Sequence, residues 1–452
     1  MKRGETGARF DPQFLELKRR KEVRYANPRY PLTKIGTVAE LIQYGISERA
    51  NIDGAGVPMI RMNNLQPLGW DLSDLKHIEL DDVALTRHRL EKGDILFNRT
   101  NSKELVGKCE VFNELGDWVF ASYLIRVRVD RSRVLPEFVS AFLNTDAGRM
   151  QIDQVSRQIA RMTNVNAEEL RQLELPIPSI NDQQRVFGEL SSSVRERDRL
   201  FLEAKRCLAL IDDVVVKESA LPLNPEFRKV FGLRREGIRG TLTPEKYSVL
   251  PLEREIGSKA TIASAGELIR AKVMPSKGET PEPVEWIRID DLENEPTGVT
   301  RTRIGPAQDI KGALIEVQSG DLLVARLGPT VLNGKIVLAP NSTLKLFASP
   351  EFLVLRVNPD WDSTFLLWLL KTRLYRKIMY ARSGGGTPSR YRLDATDFLS
   401  IPLPIIPIKR QREIAIECEA AVADAISLRE QAHLVWQAAR QRFEDQLLNG
   451  VA

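Results

Sequence analysis

The stretch GDILFNRTNSKELVGK, Gly93 to Lys108, returns as GDLLVARLGPTVLNGK, Gly320 to Lys335, at an offset of 227 residues. The same offset carries Ile60-Arg61-Met62-Asn63-Asn64-Leu65 onto Ile287-Arg288-Ile289-Asp290-Asp291-Leu292, and Phe120-Ala121-Ser122 onto Phe347-Ala348-Ser349. Phe138 falls on Phe365, and Leu143-Asn144-Thr145 on Leu370-Lys371-Thr372. One extra residue near Ser383-Gly384-Gly385-Gly386 then moves the offset to 228, which aligns Leu175-Pro176 with Leu403-Pro404 and Gln183 with Gln411. Register held over roughly 150 residues means a tandem duplication of one large unit, and the period is far too long for a solenoid.

Each copy opens with short runs rich in β-branched and aromatic residues, such as VPMIRMNNL and VEWIRIDDL, broken by Gly, Asn and Asp; these read as strands. A helical stretch, a polar loop and a Pro-punctuated strand follow, and each copy closes on a long charged helix. In the two closing helices an apolar seam recurs every three or four residues, through Val186, Leu190, Leu200 and Ile211 and through Ile414, Leu428 and Val435. Shared register points to two paired helices of about 45–50 Å each. Duplicated halves usually sit about a pseudo-two-fold axis, which makes the pair antiparallel. The expected fold is α+β: two pseudo-two-fold related domains of mixed strands and helices, separated by two long antiparallel coiled-coil-like helices. The boundaries are an N-terminal extension at 1–29, domains at 30–180 and 248–408, long helices at 181–220 and 409–449, and a linker at 221–247.

Composition excludes several classes. Three scattered cysteines and three scattered histidines give neither a disulfide framework nor a zinc site. No secretory signal is visible and no run approaches about 18 apolar residues, so the chain is expected in the cytoplasm and away from membranes. A net charge of +5 leans toward a polyanionic partner.

The doubled order of GDIL…GK and GDLL…GK, FAS, and then LPIP…QQRV and LPIIPIKRQREI before each helix resembles the DNA specificity subunit of Type I restriction-modification systems. The pair preceding each helix departs from that family's common Glu-Gln, reading Asp182-Gln183 and Arg410-Gln411. The resemblance implies two target-recognition domains, each reading one half of a bipartite site in double-stranded DNA. It implies partners as well: two modification subunits that methylate adenine, and restriction motor-nuclease subunits. It assigns this chain no catalytic residue, cofactor or metal.

Base reading needs hydrogen-bonding side chains, and phosphate holding needs Lys, Arg and small polar groups. Three places supply them in both copies. The first is Arg61, Asn63 and Asn64, opposite Arg288 in the second copy. The second is Asn98, Arg99, Asn101 and Lys103, opposite Arg326. The third is the late loop, with Arg157, Gln158, Arg161 and Asn164 in one copy and Thr387, Ser389, Arg390 and Arg392 in the other. Solvated surface or internal ion pairing is the plainer reading of any one of them. The shared pairs Arg61/Arg288, Lys108/Lys335 and Asp94/Asp321 fit structural roles, because residues that read different half-sites should differ. The late loops and the 98–103 segment are therefore the better candidates for base contact.

Enzyme signatures are imitated but incomplete. Gly328 to Lys335 has five residues where a P-loop needs four, and Ile336 replaces the Mg²⁺-binding hydroxyl. Asn27-Pro28-Arg29-Tyr30 lacks the second Pro of an amino-methyltransferase signature. Two other readings stay open at this point: a single-chain enzyme that modifies or cleaves DNA, and a coiled-coil adaptor that binds no DNA.

Overall fold

The computed structural model describes residues 12–449 except 48–50, 52–53, 67–68, 104, 160–161, 223–248, 250–252, 254–255, 257–258, 278–282, 293–300, 386 and 388–389. Arg161, Ser389, most of the expected linker and the first part of the N-terminal extension thus lie outside the described residues. The chain forms two compact units, residues 1–199 with 431–452, and residues 200–430.

In the first unit a four-stranded antiparallel sheet runs Ala39–Tyr44, Leu124–Val129, Ile95–Asn98, Cys109–Val111. The second unit has the counterpart: Gly266–Ile269, Phe352–Val357, Leu322–Ala325, Ile336–Leu338. Successive side chains of a strand point to opposite faces. Ile95 and Phe97 accordingly enter one core, with Ile125 and Val127, while Leu96 and Leu124 enter another. Leu322 and Val324 likewise part from Leu323 and Ala325. Both faces are covered, which is why these runs read as continuously apolar.

A second sheet repeats as well. Val57–Ile60 pairs parallel with Val119–Phe120 and antiparallel with Lys76–Ile78. Val284–Ile287 does the same with Leu346–Ala348 and Arg303–Gly305. The copies then diverge. The first inserts a helix at Asp82–His88, whereas the second adds the strands Leu314–Val317 and Lys272–Val273 to this sheet.

The Gly-Asp phrase is structural. Gly93 and Gly320 have φ of +93° and +82°, where a side chain is strained. Asp94 accepts from the Glu91 N–H at 2.9 Å, and Asp321 from the Gln318 N–H at 2.8 Å, closing each turn. Both carboxylates then bind an arginine of the neighbouring strand through two nitrogens: Arg128 at 2.7 and 3.0 Å, Arg356 at 2.9 and 2.8 Å. These contacts hold both arginines charged, their pKa raised chiefly by hydrogen bonding to the aspartate.

That correspondence corrects the expected alignment. Arg128 and Arg356 are 228 apart, so the strand shifts by one residue well before the late loop. The second copy is one residue longer at Ser349-Pro350-Glu351 than the first at Ser122-Tyr123, and one shorter ahead of the next helix. The helices Pro136–Leu143 and Ser363–Lys371 are back at 227, as are the capping residues Thr145 and Thr372 of the helices that follow. The late loop then adds the residue expected there.

The long helices span Ile180–Glu218 and Ile408–Leu448. In the first unit Val186 and Leu190, early in one, share a core with Ala439, Phe443 and Leu447, late in the other. In the second unit Ile211 and Val215 share a core with Ile414, Cys418 and Val422. The pairing within each unit is therefore antiparallel. Val186, Leu190, Leu200, Ile211 and Ile414 are buried in the chain's own packing, and Leu428 and Val435 are half-buried. The apolar side chains that face outward are others, among them Leu202, Leu210, Ile416 and Leu434.

Gln183 and Gln411 explain the matched start of both helices. Each is buried, accepts from the backbone N–H ahead of a domain helix (Leu135 at 2.8 Å, Asp362 at 2.9 Å), and donates to the carbonyl five residues earlier (Pro178 at 3.0 Å, Ile406 at 2.8 Å). The flanking Asp182 and Arg410 play no part in this anchor, which is why they differ freely. The extension also folds onto the first unit: Pro12–Arg24 is a helix, Lys21 pairs with Glu174, and Arg24 with Glu444, each at 2.8 Å.

One half-buried acid gives a pH-dependent expectation. Glu110, on the edge strand of the first sheet, has its pKa pushed by burial from 4.5 up to about 7. The folded state holds this proton more tightly than the unfolded chain, so a stability penalty builds as pH rises from 4.5 to 7 and is complete above. Glu110→Gln is expected to stabilise the protein by about 1–3 kcal/mol at pH 8 and to have no such effect below pH 4. Urea melts at both pH values check this, and a pH-independent difference would sink it.

Candidate nucleic-acid interface

In both copies the end of the Gly-Asp strand meets the late loop. In the first unit Thr100–Asn101 pairs antiparallel with Met162–Asn164, which forms a hairpin with Arg157–Ile159. Thr100 sits opposite Asn164, and the Val165 N–H donates to the Arg99 carbonyl at 2.9 Å. In the second unit Leu327 sits opposite Arg392, and the Leu393 N–H donates to the Arg326 carbonyl at 2.8 Å. The main-chain bond to the arginine carbonyl is the same, but the first copy continues as a three-stranded sheet, the second turns into the helix Gly328–Leu332, and the side chains differ.

Arg99 lies with its guanidinium 5.0 Å from the ring centre of Tyr44 and donates to Asn164 Oδ1 at 3.2 Å. Asn101 Nδ2 lies 3.6 Å from Met62 Sδ, which brings the 61–64 turn to the same place. In that turn Arg61 pairs with Asp74 at 2.8 Å, and Asn63 is exposed. Lys103 is exposed too. Arg157 and Gln158 enter through the backbone of the hairpin.

Asn64 and Asn98 point inward. Asn64 accepts from the Arg61 N–H at 2.9 Å and donates to the carbonyls of Asp71 and Asp74; Asn98 donates to the Leu105 carbonyl at 3.1 Å. Asp291, the counterpart of Asn64, makes the same bond to the Arg288 N–H at 2.9 Å, but binds Arg303 and Arg301 in place of carbonyls. Lys335 Nζ donates to the carbonyls of Ile289 and Leu292 at 3.0 and 3.1 Å.

In the second unit Arg288, Thr387, Arg390 and Arg392 are exposed and Arg326 is half-buried. Arg392 is held by both oxygens of Glu351 at 3.2 Å. The two meeting points thus differ in charge: Arg99 has neutral partners and Arg392 has a carboxylate. Tyr44, Tyr123 and Glu351 belong to these places and were missed from sequence. Tyr123 and Glu351 flank the one-residue length difference, which is the signal that marks them. Among the described residues no group of three or more His, Cys, Asp or Glu could hold a metal ion, and no helix is long and apolar enough to cross a membrane.

No protein-family model matches the chain. It is 20% identical over 440 residues to a putative type I restriction enzyme MjaX specificity subunit of Methanocaldococcus jannaschii, covering 93% of both chains. The chain is similar to Type I restriction specificity subunits. The EcoKI specificity subunit of Escherichia coli strain K12 is 23% identical over 176 residues, 38% of each chain. The fold is also that of a solved chain of a type I R-M system, described for complex assembly and conformational transition, with a TM-score of 0.50, 14% identity, and coverage of 94% and 97%. This chain thus keeps one main-chain contact in both copies and changes the side chains where the strand end meets the late loop.

Proposed function

We propose that this chain is the non-catalytic DNA-reading subunit of a Type I restriction-modification complex. It reads a bipartite target in double-stranded DNA, one half-site per domain, with the long helices setting the unread interval. It recruits modification and restriction subunits through outward-facing residues of those helices. The observation that supports the reading best is the repeated meeting of strand end and late loop, which share a main-chain hydrogen bond to the arginine carbonyl and differ in side chains. Two readers of different half-sites need that combination.

In the first domain Arg99, Asn101, Asn63, Lys103 and Asn164, with Arg157 and Gln158 on the hairpin, are the proposed contacts. In the second they are Arg326, Arg390, Arg392, Thr387 and Arg288. Asn64, Asn98 and the Gly-Asp aspartates support them from beneath. The test is exchange of residues 30–180 for the equivalent domain of another family member, followed by mapping of methylated sites. One half of the target is expected to change and the other to persist. Change in both halves, or in neither, overturns the assignment. Arg99→Ala is expected to weaken binding to the cognate duplex by about 1–3 kcal/mol, read by salt-controlled titration.

A further inference from the structure

Where strand end and late loop meet in the second unit, an acid is paired with an arginine. Arg392 donates to Glu351 through Nε and Nη2, one nitrogen to each carboxylate oxygen, both at 3.2 Å. Both side chains reach solvent, and an exposed pair of this kind adds little to stability. The main chain beneath it is fixed. The Glu351 carbonyl accepts from the Arg326 N–H at 3.0 Å, and the Glu351 N–H donates to Ser349 Oγ at 3.3 Å. Arg392 exchanges two main-chain bonds with Gly384, at 2.8 and 3.0 Å.

The first copy holds a different set on equivalent main chain. There the Arg99 N–H donates to the Tyr123 carbonyl at 3.0 Å, so Tyr123 stands where Glu351 stands. Asn164, opposite Thr100, stands where Arg392 stands opposite Leu327. The acid–arginine pair therefore belongs to one copy, as residues that read different sequences should.

The hydrogen-bonding capacity that the pair keeps is specific. Arg392 grips Glu351 side-on, through Nε and Nη2, which leaves Nη1 and the second N–H of Nη2 as an end-on fork. The carboxylate keeps lone pairs on both oxygens. Side by side, the pair offers a two-pronged donor next to an acceptor. A lone carboxylate is repelled by the phosphates of DNA, and the charge of Arg392 offsets that repulsion. In the major groove two adjacent acceptors occur on guanine, as O6 and N7, and the group next to them, N4 of the paired cytosine, is a donor. Adenine presents one donor beside one acceptor, a pattern that suits an amide side chain.

We infer that Glu351 and Arg392 together read a C·G pair in the second half-site, Glu351 accepting from cytosine N4 and Arg392 donating to guanine O6 and N7. The inference rests on the DNA-reading role proposed above and adds Glu351 to it as a specificity-determining residue. Methylated sites are mapped in cells that carry the complete system with the wild-type chain, Glu351→Gln or Arg392→Lys. The wild-type target is expected to contain a C·G pair in the half that persists when residues 30–180 are exchanged. Glu351→Gln supplies an amide, which matches adenine N6 and N7, so the preference for C·G over A·T at that pair is expected to fall by about tenfold or more, with the first half unchanged. Arg392→Lys keeps the charge, loses the fork and is expected to relax the same pair. Both positions are exposed enough for the variants to fold. An ion pair that only steadies the loop would lower methylation at all sites alike and leave base preference intact. That result overturns the inference, as does a second half without a C·G pair. A wild-type complex that methylates no two-part target overturns the DNA-reading role itself, which separates the two failures.

Discussion

Asp94→Asn is expected to destabilise the first unit by about 3–5 kcal/mol, the range for removing one partner of a buried ion pair. The Asp94 side chain is 1% exposed, and it answers both Arg128 and Arg126, the latter 4% exposed. Without the carboxylate, Arg126 keeps only neutral acceptors, the Gln43 side chain and the carbonyls of Arg87 and Arg89. Burial already pulls the Arg126 pKa down. The repeat supplies an internal control. Asp321→Asn removes the same charge, but its partner Arg356 is 39% exposed and is rehydrated by solvent. Its cost is expected to be about 1–2 kcal/mol. Urea unfolding of the two variants side by side checks the difference, and equal costs would mean that burial of the arginine is not what matters.

The second large effect is expected at the helix seam. Leu200→Asp places a carboxylate where the side chain is 4% exposed, and Leu428→Asp adds another at a half-buried position. A buried unpaired charge costs several kcal/mol, so the double variant is expected to lose about 4 kcal/mol or more and to fail to accumulate as soluble protein. Leu202→Asp, two residues along and 49% exposed, is the matched control and is expected to cost less than about 0.5 kcal/mol. Soluble yield and thermal melts followed by helical circular dichroism distinguish them. A double variant that melts with the wild type would remove the case for a packed seam.

Most of the frame was legible because it is local or repeated. A Gly at positive φ, an Asp closing its own turn and a heptad seam all leave marks within a few residues, and the repeat states each mark twice. The strand shift between Leu124–Val129 and Phe352–Val357 was harder, because alternative registers of an apolar strand look alike. The Arg128/Arg356 pair and the pairing of Leu124 with Asn98 and of Phe352 with Ala325 fix it. Docking of the Pro12–Arg24 helix rests on Lys21–Glu174 and Arg24–Glu444, partners far apart in sequence with no local trace. The candidate site was legible as segments, not as contacts. Nothing in the residue types says that Asn64 and Asn98 turn inward while Asn63 and Asn101 do not. That division follows from which side of a strand or turn each one occupies.

The strand end and late loop are joined by main-chain hydrogen bonds that any side chain tolerates: Val165 to Arg99 in one copy, Leu393 to Arg326 in the other. Folding therefore asks little of Lys103 or Arg390. Changes at such exposed positions usually move stability by less than about 0.5 kcal/mol. Drift can rewrite them without passing through an unstable intermediate. Under the proposed reading, a gene built this way explores new binding preferences one half at a time.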